Sequence, residues 1–166
     1  ELEKQKAFEN DLILCGLPKN ENLDGDKVLS NLCKKLDIKP GEYEDCAKVQ
    51  LKVMSIANKS VVEQNLFISS APKLCEAIDT KYREARKNKI PLYASDVHEG
   101  SDQKPVYINC HLTGYFQYLA KKARDLKRGG LIKFVWTRGG RVFVRRETNE
   151  EIVVVKHPDD LEQFEQ

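Results

Sequence analysis

One stretch, residues 113–146, constrains the fold more than any other part of the chain. Thr113 suits the N-cap of a helix, and Gly129 suits its end. Between them, apolar residues recur at helical spacing, at Phe116, Leu119, Ala120, Ala123 and Leu126. Two strand patterns follow, joined around Gly139 and Gly140. An amphipathic helix and a hairpin must bury their apolar faces, so the stretch predicts a helix packed on an antiparallel sheet.

The side chains of the two hairpin strands divide between two faces, because successive residues of a strand point to opposite sides. The apolar face is predicted to contain Ile132, Phe134, Trp136, Val142 and Val144. We expect that face to pack on the helix, with Phe134 and Trp136 in the core. The opposite face and the turn then gather Lys133, Arg138, Arg141 and Arg145. Phe143 shares the charged face, where its ring suits either the core or stacking on a base.

Basic residues are concentrated in one segment, although the whole chain carries a net charge of only +2. Residues 104–146 contain eleven Lys or Arg and a single acidic residue, Asp125. That segment therefore carries +10, and the rest of the chain carries −8. No acidic residue near the helix or the hairpin is expected to neutralise them, so the separation predicts a polyanionic partner.

Single-stranded nucleic acid is the polyanion that this pattern suits best, because cations contact phosphates while an exposed ring receives a base. The predicted contacts are Lys121, Lys122, Arg124, Arg128, Lys133, Arg138, Arg141, Phe143, Arg145 and Arg146. We expect single-stranded RNA or DNA to be bound with little sequence preference. Acidic proteins and lipid headgroups are weaker alternatives.

Strand and helix patterns alternate through residues 11–97. DLILCGLP is typical of a buried strand, and a helix follows Asp24. Two β-branched runs lie on either side of a turn around Asn58, a second helix begins at Pro72, and PLYASDV closes the series. This β-α-β-β-α-β order is ferredoxin-like, as in RRM-like domains. We therefore predict an α+β protein with an RRM-like domain followed by a small α/β domain, whose basic helix packs on a three-stranded antiparallel sheet.

Composition sets the predicted domain limits. They are 1–10 for the end of a helix or coiled coil, 11–98 for the RRM-like domain, 99–105 for a polar linker, and 106–166 for the nucleic-acid-binding domain, which begins with the strand VYIN. Leu2 and Phe8 are too few apolar positions to separate a coiled coil from a terminal helix. We expect a homo-oligomer formed through this helix.

Neither catalysis nor a cofactor is indicated. His98, His111 and His157 show no metal-binding spacing, and a partial zinc site from the first two with Cys110 is a minor alternative. The RGGR turn lacks the length and the Lys-Ser/Thr ending of a P-loop. No apolar run approaches the roughly 20 residues of a membrane span, so no membrane partner is expected.

The five cysteines occur singly, without CxxC spacing. An odd number without such spacing argues against a secreted disulfide scaffold and against a zinc ribbon. We therefore expect an intracellular protein of the cytoplasm, the nucleus or both. Cys33 and Cys75 lie on or beside helical apolar faces, which favours buried structural thiols.

The run YINCHLTGYFQYLAKKARDLKRGGLIKFVWTRGGRVFVRR, residues 107–146, carries a family resemblance. It resembles the C-terminal domain of the baculovirus few-polyhedra (FP) protein family, which is similar in turn to the open-reading-frame-one proteins of LINE-type retrotransposons. The matching continues to Ile152 and is densest at Tyr107, Ile108, Asn109, Leu112, Thr113, Leu119, Ala123, Trp136, Thr137, Arg138, Gly140, Val142, Val144 and Arg145.

This resemblance implies an RRM-like domain that follows a coiled coil. In the retrotransposon relatives the coiled coil forms trimers, and the two folded domains together bind and remodel single-stranded RNA or DNA. By position, the resemblance makes the basic helix and Arg138, Arg141, Arg145 and Arg146 candidate contacts to the nucleic-acid backbone.

The first domain departs from the family pattern. Its strand SVVEQNLFIS includes Glu63 and lacks the basic, doubly aromatic RNP pattern. Leu12, Leu14 and Leu66 cannot replace stacking rings. The alternative function is therefore a domesticated adaptor, which would bind a protein partner through the first domain, assemble through its terminal helix and bind no nucleic acid.

Overall fold

The computed structural model describes residues 2–6, 8, 11–19, 22–39, 47–55, 62–70 and 72–165. The chain forms two compact units. The N-terminal unit is residues 10–109, and the C-terminal unit combines residues 110–166 with residues 1–9. Helices and antiparallel strand pairs occur in the described ranges, which confirms the α+β class.

After helix α1 (Leu2–Lys6), the chain enters a four-stranded sheet. Its elements are β1 (Leu12–Pro18), α2 (Gly25–Lys35), β2 (Ala47–Ser55), β3 (Val62–Ser70), α3 (Pro72–Lys87), the short α4 (Ala94–Val97) and β4 (Tyr107–Cys110). The strands lie in the order β2-β3-β1-β4, and β3 pairs antiparallel with both β1 and β2.

Local chemistry explains where these elements begin and which side they bury. The Asp24 side chain caps α2 by accepting a hydrogen bond from the Asp26 backbone N–H at 3.0 Å. Alternate residues of β1 and β3, such as Leu14 and Leu66, are fully buried. They share one core with the apolar sides of both helices, represented by Leu32 and Ile78.

The closing strand of this sheet differs from the prediction. PLYASDV forms no strand there, since Ala94–Val97 is helical. The strand beside β1 is instead β4, which includes most of the VYIN run that was predicted to begin the second domain. Val106 and Ile108 extend the same core, and this burial accounts for the placement.

The polar segment predicted as an interdomain linker is a loop within the N-terminal unit. The Ala94 backbone N–H donates to the Lys104 carbonyl at 2.8 Å, and the Val106 N–H donates to the Leu92 carbonyl at 2.9 Å. Tyr93 and Pro105 form an antiparallel bridge between these two bonds. This pairing joins the two ends of the loop within the N-terminal unit. The boundary between the two units therefore lies after the predicted linker, at residue 110.

The C-terminal unit is a helix on a three-stranded sheet. Its elements are α5 (Gly114–Arg128), β5 (Phe134–Arg138), β6 (Arg141–Arg145), β7 (Val153–Val155) and the short α6 (Asp159–Glu162). β6 lies between β5 and β7 and pairs antiparallel with both. The Thr113 hydroxyl caps α5 by accepting from the Phe116 N–H. Phe116 and Leu119 pack with Val142 and Val144 in the core, so the predicted sequence of elements agrees with the structure here.

The predicted turn around Asn58 falls on residues outside the described ranges, and so does the fifth cysteine, Cys46. Of the helices described, none combines the length and the apolar character needed to cross a membrane.

The four cysteines that the structure describes are free thiols: Cys15, Cys33, Cys75 and Cys110. Cys33 and Cys75 are buried, as predicted. Burial raises the pKa of the Cys33 thiol. Burial and, to a lesser extent, the carboxylate of Asp11 raise the pKa of the Cys75 thiol to about 12. Both thiols are therefore protonated at neutral pH.

Cys75 should make the free energy of unfolding depend on pH in alkali. Its folded-state pKa lies above the usual 9.0, so the unfolded chain releases this proton first as the pH rises. The stabilisation is complete below about pH 8.5 and falls toward pH 12, by at most about 1.4 kcal/mol per pH unit. Between pH 8 and 10.5, the free energy of unfolding measured in urea should therefore fall more steeply with pH in the wild type than in Cys75→Ala. Parallel pH profiles would contradict this assignment.

Candidate nucleic-acid interface

The turn between β5 and β6 sets the register of the hairpin. Gly139 and Gly140 both have positive φ, of 58° and 74°, as a tight two-residue hairpin turn requires. Arg138 therefore pairs directly with Arg141. Two residues further along each strand, Trp136 pairs with Phe143.

Residues that pair directly across an antiparallel ladder lie on the same face of the sheet. Val142 and Val144 face α5, so the alternate residues of β6 and their partners lie on the other side. We call this side the outer sheet face. It carries Phe134, Trp136, Arg138, Arg141, Phe143, Arg145 and Val154.

An aromatic pair occupies the middle of the outer sheet face. The rings of Trp136 and Phe143 stack with centroids 5.5 Å apart and planes inclined by 11°. Both residues are half-buried, and neither belongs to the core around α5. Offset stacking of this kind is a favoured geometry for two rings. Arg141 and Arg145 lie two residues to either side of Phe143 on the same face of β6.

The predicted burial of Phe134 and Trp136 was therefore wrong. Val135 packs against the core in their place. The error comes from the start of the strand. Ile132 is buried, but the Lys133 backbone N–H donates to both the Arg145 and the Arg146 carbonyls at 3.2 Å before regular pairing begins. This irregular bond shifts the alternation by one residue, as a bulge does.

The cations of the turn remain exposed at the end of this face. Arg138 and Arg141 are both exposed, and Arg141 makes no ion pair with any described residue. Arg145 is half-buried, and its Nε donates to the Glu150 carbonyl at 2.7 Å. Arg141 can therefore turn toward a ligand freely, whereas Arg145 would first have to give up a hydrogen bond.

Two other predicted contacts are partly neutralised, contrary to the expectation that no acid lies nearby. Lys133 Nζ lies 3.8 Å from a Glu147 carboxylate oxygen, and Arg146 Nε lies 4.0 Å from one of Glu150. Arg146 also donates to the Gln163 carbonyl at 2.7 Å and lies 5.1 Å from the centroid of the Phe164 ring. Arg146 therefore helps to hold the C-terminal segment on the domain.

The basic residues of α5 do not join the outer sheet face. α5 packs its apolar stripe on the opposite side of the sheet, so its exposed residues point away from that face. Lys121, Arg124 and Arg128 are exposed, as predicted. Arg128 pairs with Asp125, and Lys122 Nζ lies 5.5 Å from the centroid of the Tyr118 ring. The predicted contacts thus form two separate basic surfaces.

Helix α1 is fixed to the C-terminal unit by a side chain that sequence reasoning did not single out. Gln5 is only 4% exposed. Its Nε2 donates to the His111 carbonyl at 2.8 Å, and its Oε1 accepts from the Thr113 N–H at 2.7 Å. Phe8 stacks on the His111 ring with centroids 4.2 Å apart. The Gln5 side-chain amide therefore hydrogen-bonds two backbone groups just before α5. No sequence pattern indicates this role for a single Gln.

No three His, Cys, Asp or Glu side chains in the described ranges are grouped in a way that could hold a metal ion. Each of the three histidine side chains contacts another side chain. His98 Nδ1 lies 2.9 Å from the Ser101 hydroxyl, and His157 Nδ1 lies 3.2 Å from an Asp159 oxygen. His111 stacks on Phe8.

Comparison with known proteins gives one match. Residues 113–165 match a family model described as baculovirus FP protein domain 2. This match covers about a third of the chain and confirms the resemblance for the C-terminal segment. No curated protein and no solved structure matches the chain.

Replacing Gln5 with Ala should release α1 from the C-terminal unit. The partly buried His111 carbonyl and Thr113 N–H would lose their partner, at a cost of about 1–3 kcal/mol. Hydrogen exchange at the Thr113 amide should therefore become roughly tenfold to a hundredfold faster. Glu3→Ala, an exposed change on the same helix, is the control. Equal protection of the Thr113 amide in both variants would show that Gln5 does not hold the helix.

Proposed function

We propose that the C-terminal unit, with its match to baculovirus FP protein domain 2, binds single-stranded nucleic acid without catalysing a reaction. The observation that supports this most is the stacked Trp136 and Phe143 pair beside the exposed Arg138 and Arg141. Rings and cations placed together suit a strand that presents both bases and phosphates.

Each part of the outer sheet face has a distinct role in this proposal. A base stacks on the aromatic pair, which contributes about 1–3 kcal/mol per base with little regard to its identity. The guanidinium groups at the turn contact phosphates and release counterions. Binding is therefore salt-dependent and largely independent of sequence, for RNA and for single-stranded DNA.

The basic surface of α5 plays a different part. Because it lies on the other side of the sheet, the same short strand cannot contact Lys121 or Arg124 while stacking on Trp136. Its charges instead raise the local potential and speed the encounter with a polyanion. A longer strand that wraps around the domain can contact both surfaces.

The N-terminal unit is proposed to be RRM-like. Its order of elements and its strand order β2-β3-β1-β4 agree with a ferredoxin-like arrangement. Leu12, Leu14 and Leu66 are buried, and the side of β1 and β3 away from that core carries Ile13 and Phe67. One aromatic ring among these residues is a poor stacking surface, so the unit contributes less to binding.

The further likeness to LINE-type retrotransposon proteins remains a proposal. So do oligomerisation through α1, an intracellular location and a protein partner on the N-terminal unit. Free thiols at the four described cysteines are consistent with a reducing compartment.

Two matched double variants test which surface binds. Arg138→Ala/Arg141→Ala removes two cations from the outer sheet face, and Arg124→Ala/Arg128→Ala removes two from α5. For a labelled 20-mer RNA, each lost phosphate contact should lower the magnitude of the log-log salt slope by about 0.7. The first variant should therefore lower it by about 1.4, and the second by much less. Fluorescence anisotropy between 0.05 and 0.5 M NaCl measures both slopes.

Equal effects of the two double variants would contradict the assignment to the outer sheet face. A wild-type chain that leaves the RNA unbound at 0.05 M NaCl would reject nucleic-acid binding altogether. That second result would favour the adaptor function.

A further inference from the structure

A cleft of about 350 Å³ opens within the C-terminal unit, beside the glycine turn of the hairpin. Helix α1 forms one wall through Leu2 and Lys6. The glycine turn of the hairpin forms a second wall, and the end of β7 with Lys156 forms a third. This volume is at the small end of the range for ligand pockets. It suits one nucleotide rather than a larger ligand.

Three cations surround this cleft. They are Lys6 on α1, Arg141 after the turn, and Lys156 after β7. All three are exposed, and none makes an ion pair with a residue that the structure describes. They come from three separate elements and converge on one opening, with no carboxylate among the residues that line it. Such a site attracts an anion from solution.

The interior of the cleft is mostly apolar. Leu2, Phe116, Val154 and Val155 line it, together with Gly139 and Gly140 of the turn. A mostly apolar lining that also includes three cations does not suit a bare phosphate alone. It suits a ligand with a flat apolar part and an attached phosphate, which describes a nucleotide.

Two of the residues that line the cleft, Arg141 and Val154, are neighbours of the aromatic pair in the sheet. Val154 pairs directly with Phe143, and Arg141 lies two residues from Phe143 on the same face of β6. Two residues of a strand span about 7 Å. A strand with one base on the Trp136 and Phe143 rings can therefore pass its next nucleotide over Arg141 into the cleft.

The geometry points to a nucleotide-binding subsite in this cleft, which holds one nucleotide of a single-stranded nucleic acid next to the base on the aromatic pair. Lys6 and Lys156 contact its phosphates, together with Arg141. This inference rests on the proposed function and adds α1 to the binding surface. Because Gln5 fixes α1, the same amide that docks the helix also positions Lys6.

The test uses the whole chain and a fluorescein-labelled 20-mer of uridylate. Lys6→Ala/Lys156→Ala removes two cations from the cleft, and Lys104→Ala/Lys127→Ala removes two exposed lysines elsewhere as the matched control. Loss of two phosphate contacts should lower the salt slope by about 1.4. Affinity should then fall about 25-fold at 0.1 M NaCl and hardly at all near 1 M. The affinity of the control variant at 0.1 M NaCl should fall much less.

A second measurement separates a nucleotide from other anions. Amide resonances of Gly139, Gly140 and Lys156 should shift on titration with uridine monophosphate, and much less with inorganic phosphate at the same concentration. When the two competitors are compared at equal concentrations of negative charge, unlabelled RNA should displace the labelled strand far more effectively than polyglutamate does. Equal shifts with phosphate, or equal displacement by polyglutamate, would overturn the nucleotide subsite.

The inference and the proposed function fail in different ways. If the wild type binds RNA and the Arg138/Arg141 variant weakens it, but the Lys6/Lys156 variant behaves like its control, the cleft is not a subsite and the outer sheet face stands. If the wild type binds no RNA, both are rejected.

Discussion

The register of one hairpin determines what the C-terminal unit presents to solvent. The glycine turn pairs Arg138 with Arg141, and this pairing carries Trp136 opposite Phe143. Because α5 covers the face of Val142 and Val144, the rings must lie on the side that the helix leaves uncovered. A slip of one residue would exchange the two faces, burying arginines and exposing valines, so burial of the valines stabilises the register that the turn sets.

The same core separates the two basic surfaces. The apolar stripe of α5 packs on the inner side of the sheet. Its lysines and arginines therefore lie on the opposite side of the helix, away from the sheet. Around the sheet, Glu147 and Glu150 engage Lys133 and Arg146. Arg141, at the turn, makes no ion pair with a described residue; it lines the cleft and lies two residues from Phe143 on β6.

Much of this architecture follows from patterns in the sequence. The caps Asp24 and Thr113 and the period-two runs locate helices and strands, because those signals are local. The face of Trp136 was misassigned because alternation was counted through the irregular bond at Lys133. Pairing across the glycine turn would have placed that ring opposite Phe143. The partners of the cations lie just outside the basic segment, and Gln5 acts through a contact distant in sequence, which no local pattern predicts.

The most direct test of the outer sheet face uses the fluorescence of Trp136, the only tryptophan in the chain. Titration with unlabelled single-stranded RNA at 0.05 M NaCl should quench its emission, because a base stacks beside the indole. The quenching curve should follow the binding curve from anisotropy and reverse in 1 M NaCl. RNA binding that leaves the Trp136 emission unchanged would place the contacts elsewhere and contradict the role of the aromatic pair.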